Sequence, residues 1–171
     1  MSYMGVKTQC LQLESAGLLE SSHRRKPLGR PEVIYRLGGN SRKIFQVEES
    51  GIILSLLEHA EKMFGLHASR KLLFQHFRSL TTQLATKMTA EDPSKRMEQI
   101  ATLRASCGHF ARFEEGPPPQ IVESHHPLTP VFQKYPEAMA YEVEALSQLV
   151  GRPLVREPGR DGEVHIILNG D

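Results

Sequence analysis

The sequence predicts an α+β protein laid out in three consecutive segments, residues 1–44, 45–107 and 108–171, and three observations carry that prediction. A short amphipathic helix at the start gives way to two strand-like runs around a basic loop. A long middle stretch then repeats its apolar residues at helical spacing. After residue 108, short alternating runs separated by Gly and Pro turns take over. With 171 residues and 39% hydrophobic content, the chain can form one or two small domains with their own cores.

The first helix opens at Ser2, a good N-cap, and places Val6, Cys10, Leu13 and Gly17 on one face expected to be buried. Met4, Lys7, Thr8, Leu11 and Ser15 then point outward. Gly17 stands where a left-handed C-cap is wanted, and Leu18-Leu19 starts an extended run that returns at Val33-Ile34-Tyr35-Arg36-Leu37. Between the two runs lie His23-Arg24-Arg25-Lys26 and Gly29-Arg30-Pro31, a basic loop.

Gly38-Gly39-Asn40-Ser41 marks the end of that module. The next helix covers Ile52 to Phe64 and stops at Gly65; its apolar residues fill more than one narrow stripe, which predicts burial on more than one side, as at a dimer interface. A second helix runs from His67 to Met88 on Leu72, Leu73, Phe74, Phe77, Leu80 and Leu84. A third spans Ser94 to Cys107 on Met97, Ile100, Ala101 and Leu103.

In the last segment, residues 109–115 alternate as a strand and turn at Gly116-Pro117-Pro118-Pro119 into Gln120-Ile121-Val122-Glu123-Ser124, forming a hairpin. A short helix from Leu128 to Lys134 precedes an amphipathic one from Glu137 to Val150, with Met139, Tyr141, Val143, Leu146 and Leu149 toward the core. Leu154 to Glu157, a turn at Gly159-Arg160-Asp161-Gly162 and Val164 to Leu168 make a second hairpin. Two hairpins with helices between them form a compact α+β domain.

Net charge is only +1, but it is unevenly spread. Residues 1–44 carry eight basic side chains, Arg42 and Lys43 among them, against three acidic ones, whereas the remainder carries 13 against 17. A basic module on a mildly acidic body suits a phosphate-facing domain tied to a sensing or dimerising one. No apolar run reaches eighteen residues and no signal peptide opens the chain, so a cytoplasmic protein without membrane contact is expected. Cys10 and Cys107 are too few for a disulfide framework and read as reduced structural thiols, with a redox role for Cys107 as the rarer alternative. There is no glycine-rich phosphate loop, no H-E-x-x-H, no G-x-S-x-G and no cysteine–histidine setting for a nucleophile, so catalysis is not expected.

Helix, strand, basic loop, strand is also the order of a winged helix. Val6, Leu13-Glu14-Ser15-Ala16-Gly17-Leu18-Leu19, Gly29-Arg30-Pro31 and Tyr35-Arg36-Leu37 resemble the winged-helix bacterial repressors of the ArsR type, and SufR-like regulators in particular. The likeness continues in Glu123-Ser124-His125-His126-Pro127, in Tyr135-Pro136-Glu137-Ala138-Met139-Ala140-Tyr141-Glu142, and in the closing glycine-turn hairpin. It implies a partial winged helix (recognition helix plus β-wing), a helical dimerisation region and a C-terminal α+β sensor-like domain. The implied activity is transcriptional regulation, as a homodimeric repressor on double-stranded DNA. Tyr3, Met4, Lys7 and Thr8 would face base edges and Gln12 the flank of the groove, with Arg24, Arg25, Lys26 and Arg30 on phosphates and the minor groove. Two helices that normally precede the recognition helix are missing. A start placed late in a longer reading frame accounts for this, and the intact basic wing favours that over a variant that has lost DNA binding.

The resemblance fails at the cluster chemistry. Where SufR-like regulators place cysteines, this chain has His126, Met139 and Pro158 or Gly159, so an iron–sulfur cluster is not carried over. His109, His125, His126 and His165 share the same domain, and Glu123 or Glu157 could complete a shell for Zn²⁺, Ni²⁺ or Fe²⁺. Without paired spacing, His109, His126 and His165 remain weak metal candidates, and His126 as a structural histidine is the simpler expectation. A small organic effector is equally open. A ligand-binding or protein-interaction dimer that no longer binds DNA is the main alternative to a regulator, and a histidine-based metal sensor the third.

Overall fold

The computed structural model describes residues 2–27, 29, 31–41, 48–159 and 162–170, with backbone alone for 48–50. Among these the chain divides into two compact units, Met1–Val47 and Glu48–Asp171. No helix among the described residues is long and apolar enough to cross a membrane.

The first unit holds α1 (Tyr3–Ser15), β1 (Leu19–Arg24) and β2 (Glu32–Leu37). Ser2 caps α1 through its hydroxyl, which accepts from Gly5 N at 3.2 Å. At the far end Gly17 takes φ +69°, its N–H donates to Glu14 O at 2.9 Å and that of Leu18 to Leu13 O at 2.8 Å. This Schellman arrangement satisfies two of the last carbonyls and turns the chain straight into β1. A side chain at Gly17 would meet Asn40, whose Nδ2 donates to Ala16 O at 3.3 Å. β1 and β2 pair antiparallel from Leu19↔Leu37 to Arg24↔Glu32.

The expected buried face of α1 is not formed. Val6 and Leu13 are exposed, Cys10 is half-buried and no residue of the helix is fully buried. One helix and one two-stranded ribbon offer a single surface for packing, too little to enclose an apolar stripe.

The second unit begins with α2 (Glu48–Phe64), α3 (Ala68–Ala85) and α4 (Pro93–Ser106), followed by β3 (Ala111–Glu114), β4 (Gln120–Glu123), α5 (Thr129–Lys134), α6 (Glu137–Val150), β5 (Leu154–Pro158) and β6 (Val164–Leu168). Asp92 caps α4 by accepting from Lys95 N at 3.0 Å, with Pro93 at the first helical position. Gly151 ends α6 at φ +81°. The strands form one antiparallel sheet in the order β3-β4-β6-β5.

Two apolar clusters meet at α6. Met97, Ile100 and Ala101 of α4 pack with Ile121, Ile166, Leu154 and the α6 residues Leu146, Leu149 and Val150. On the other side of α6, Ala138 and Ala145 join Leu57 of α2, Leu73 and Phe77 of α3, and Val131 and Phe132 of α5. The segments expected over 45–107 and 108–171 therefore share their cores from residue 48 onward: α4 lies on the sheet and α3 on α6.

One surface of α2 lies outside both clusters. Leu57 is buried, but Ile52, Leu56 and Met63 are 63%, 66% and 72% exposed. The expected burial on more than one side is therefore not formed among the described residues: the side of Leu57 is covered and the side of Ile52, Leu56 and Met63 is not.

Candidate functional site

Strand register sorts the ionisable residues of the sheet. Side chains alternate between faces, and the pairing Phe113↔Ile121↔Ile166↔Arg156 and Ala111↔Glu123↔Val164↔Pro158 places Glu123 and Arg156 on the core face with Ile121 and Ile166. The neighbouring row, Arg112↔Val122↔His165↔Glu157, falls on the opposite face. Helix α4 adds Arg104 to that core, since Met97, Ile100, Ala101 and Arg104 recur at i, i+3, i+4 and i+7. Helix α6 adds Glu142 in the same way, in line with Ala138, Ala145, Leu146 and Leu149.

The result is a buried ionic centre. Arg104, Glu123, His126 and Glu142 are 5%, 1%, 4% and 1% exposed. Arg104 binds Glu123 through both Nε and Nη2, the latter donating to Oε2 at 3.0 Å, a bidentate fork suited to a carboxylate. The same Nη2 donates to Glu142 Oε1 at 2.9 Å and stands 3.0 Å from His109 Nδ1 and 3.2 Å from His126 Nε2. Arg156 Nη1 donates to the second oxygen of Glu142. Two guanidinium groups thus balance two carboxylates, and each buried oxygen has a donor, the condition under which a buried network holds together.

Hydrogen bonding fixes the tautomer of His126. Leu128 N–H donates to Nδ1 at 3.1 Å, so the ring proton sits on Nε2, which donates to Glu142 Oε1 at 2.8 Å. The His126 ring rests on Phe132 with centroids 4.7 Å apart, and the Arg156 guanidinium lies 5.1 Å from the same Phe132 ring. His109 meets His126 edge to face at 4.6 Å. His109 is brought inward by a tight turn, with Gly108 at φ +82° and Phe110 at φ +46°, a left-handed conformation a bulky residue seldom takes.

The electrostatics follow from this geometry. Burial alone would push the Glu123 carboxyl up, but His109 and Arg104 beside it outweigh that and hold it at about 2. Burial likewise opposes ionisation of Glu142, and the charge of Arg104, the His126 hydrogen bond and the charge of Arg156 hold it well below the usual carboxylate range. Burial lowers His126, against the pull of Glu142, so the ring stays neutral at pH 7. The two carboxylates keep Arg104 charged despite its burial.

Of the metal candidates, the structure brings His109 and His126 together with Glu123, ligand atoms within 4.8 Å of one another. His165 and Glu157 do not join them. Their strand parity puts them on the far face, where His165 Nδ1 donates to Gln120 Oε1 at 3.0 Å. His125 is half-buried beside Phe110. Arg104, Glu142 and Arg156 were missed by the motif reading. The available signal was an arginine and a glutamate at core positions of two amphipathic helices.

Residues expected to face DNA lie in the first unit. Tyr3, Met4, Lys7, Thr8 and Gln12 are exposed on α1, although Thr8 Oγ1 also donates to Met4 O at 2.9 Å. Arg24, Arg25 and Lys26 are exposed at the end of β1 and beyond it. Glu32 pairs with Arg24 at 2.7 Å and stands 3.7 Å from Lys26, and the Arg24 hydrogen bond, aided by the charge of Lys26, holds its carboxyl below the ordinary value. Arg30, Arg42 and Lys43 lie outside the described residues. No family model matches this chain, and neither a curated protein nor a solved structure matches it.

Proposed function

We propose that the chain is a DNA-binding regulator that works as a homodimer, with the first unit facing DNA and the second setting the dimer. The observation that carries this reading is an exposed helix bearing Lys7, Thr8 and Gln12, followed directly by a hairpin that ends in exposed Arg24, Arg25 and Lys26. Helix side chains of this kind reach base edges, and cations on a two-stranded hairpin bind phosphates or enter a minor groove. The uneven charge of the chain supports the same orientation.

The exposed surface of α2 supports the dimer. Ile52, Leu56, His59 and Met63 follow a 4-3-4 spacing, the a/d seam that two equivalent helices use to interlock. Most operators are two-fold, so a dimer through this seam would present two copies of α1 and its hairpin to two half-sites.

The test is binding of the purified chain to DNA from its own upstream region, against unrelated DNA, over a salt series. Preference for the upstream DNA, with affinity falling linearly in log salt, supports the reading. Replacing Lys7 with Ala should then alter the preferred sequence. Absence of any DNA binding by a dimeric chain would instead favour a protein-interaction dimer. One observation favours that second reading: α1 carries no fully buried residue and leaves Val6 and Leu13 exposed.

A further inference from the structure

The buried centre has the composition of a metal site and a guanidinium in place of the metal. Four potential ligand atoms surround Arg104 Nη2: Glu142 Oε1 at 2.9 Å, Glu123 Oε2 and His109 Nδ1 at 3.0 Å, and His126 Nε2 at 3.2 Å. They come from four places in the fold, namely α6, β4, the turn after α4 and the loop before α5. All four residues are buried or nearly so.

Two imidazoles and two carboxylates around one point form an N₂O₂ set that suits zinc and its borderline neighbours. The present radius of about 3 Å fits a nitrogen donating hydrogen bonds, whereas zinc takes such ligands at roughly 2.0–2.2 Å. A contraction of about 1 Å separates the two arrangements.

We propose that His109, Glu123, His126 and Glu142 form a four-ligand cation site whose resident cation is the Arg104 guanidinium, and that removing the guanidinium opens this site to a divalent metal of the zinc and cobalt class. With Arg104 in place the centre is filled and its charge balanced, so the unaltered chain takes up no metal there. Zinc would bind His126 Nε2 through its lone pair, moving the ring proton to Nδ1 and displacing the N–H of Leu128 now donating to that atom. This inference is independent of what the first unit binds.

The experiment uses the full chain as Arg104→Ala and Arg104→Met, titrated with Co²⁺ and followed by visible absorption, with thermal melts in the presence and absence of Zn²⁺. Either variant should bind one Co²⁺ per chain with the intense band of a tetrahedral ion, and its melting temperature should rise by several degrees with Zn²⁺. Adding His126→Ala should abolish both effects. If the single variants are unfolded without metal, recovery of a cooperative melt on adding Zn²⁺, lost again with His126→Ala, supports the same site. Folded variants without Co²⁺ absorption, or unfolded ones that Zn²⁺ does not rescue, would overturn the proposal. A His126-dependent Co²⁺ band in the unaltered chain would overturn it as well, because it would show that Arg104 does not fill the site.

Discussion

Glu142 is the residue on which the buried centre turns, since it accepts from Arg104, His126 and Arg156 at once. Replacing it with Ala strips Arg156 of its buried carboxylate and leaves Arg104 held by Glu123, and the expected loss is about 3–5 kcal/mol in urea unfolding. Pairing Glu142→Leu with Arg104→Met should lose less than the two single changes added together, because each change removes the charge that the other leaves facing it, although Glu123 and Arg156 still lose a partner. Acid acts on the same network. His126 is lowered by burial, so below about pH 6.5 the unfolded chain gains a proton that the folded ring refuses. Glu123 is held at about 2 and Glu142 is also depressed, so below about pH 4.5 the unfolded chain again binds more protons. Both contributions have one sign: stability should fall from about pH 6.5 down toward pH 2, and Glu123 alone accounts for on the order of 3 kcal/mol of it. A stability that stays flat from about pH 7 to 3 would show that the centre is not the ionised network described. Much of this site was readable in the sequence, but not by motif. His109, His126 and Glu123 could be picked out by type, whereas separating them from His165 and Glu157 required strand parity: Ile166 and Ile121 are the core residues, so Val122, His165 and Glu157 must face away. Arg104 and Glu142 needed the opposite inference, that a charge inside an apolar stripe implies a buried partner.

At the scale of elements, the boundaries that carry their own chemistry were the legible ones. Glu137–Val150 and Val164–Leu168 fall where the helical period and the strand alternation place them, and Gly17, Gly65 and Gly151 end their helices in the left-handed region. What a face packs against was not legible, because periodicity shows which side of a helix is apolar and not what covers it. Helix α1 illustrates this, its apolar stripe being regular and yet uncovered within its own unit. Its end is therefore a sensitive place to intervene: Ala at Gly17 would meet positive-φ strain and bring its Cβ to 2.6 Å from Asn40 Nδ2, displacing the amide that holds Ala16 O. A loss of about 1–2 kcal/mol is expected from the strain alone, read as faster amide hydrogen exchange in residues 10–20 with no change in the second unit. Helix α2 gives the complementary test. Leu56→Glu sets a charge in the middle of the exposed seam without touching Leu57, so if the proposed dimer uses this seam, sedimentation should show dimer for the unaltered chain and monomer for the variant, while the melting temperature of the monomer is kept. An unaltered chain that is already monomeric at high micromolar concentration would remove the seam as an interface.

For the molecule as a whole, the informative quantity is how its charge is arranged. The first 44 residues hold an excess of five positive charges and the rest an excess of four negative, so a polyanion should be attracted to the first segment and repelled by the second. Part of the attraction is offset internally, because Glu32 accepts from Arg24 and lies within ion-pair range of Lys26. Both pairs are exposed and weak in water, yet under the proposed function phosphates would compete with Glu32 for the same cations. Glu32→Gln should therefore tighten DNA binding severalfold at low salt and steepen the dependence on salt, measured by fluorescence anisotropy on one duplex. The triple change of Arg24, Arg25 and Lys26 to Ala should do the reverse, and each phosphate that is no longer neutralised should flatten the log–log slope by about 0.9. The two variants are informative together. If the triple change weakens binding and Glu32→Gln leaves it untouched, Arg25 alone meets the backbone and the cations paired with Glu32 stand aside. If neither variant alters binding that is otherwise specific, Arg24, Arg25 and Lys26 do not touch DNA, and recognition rests on α1 through Lys7, Thr8 and Gln12 or on Arg30.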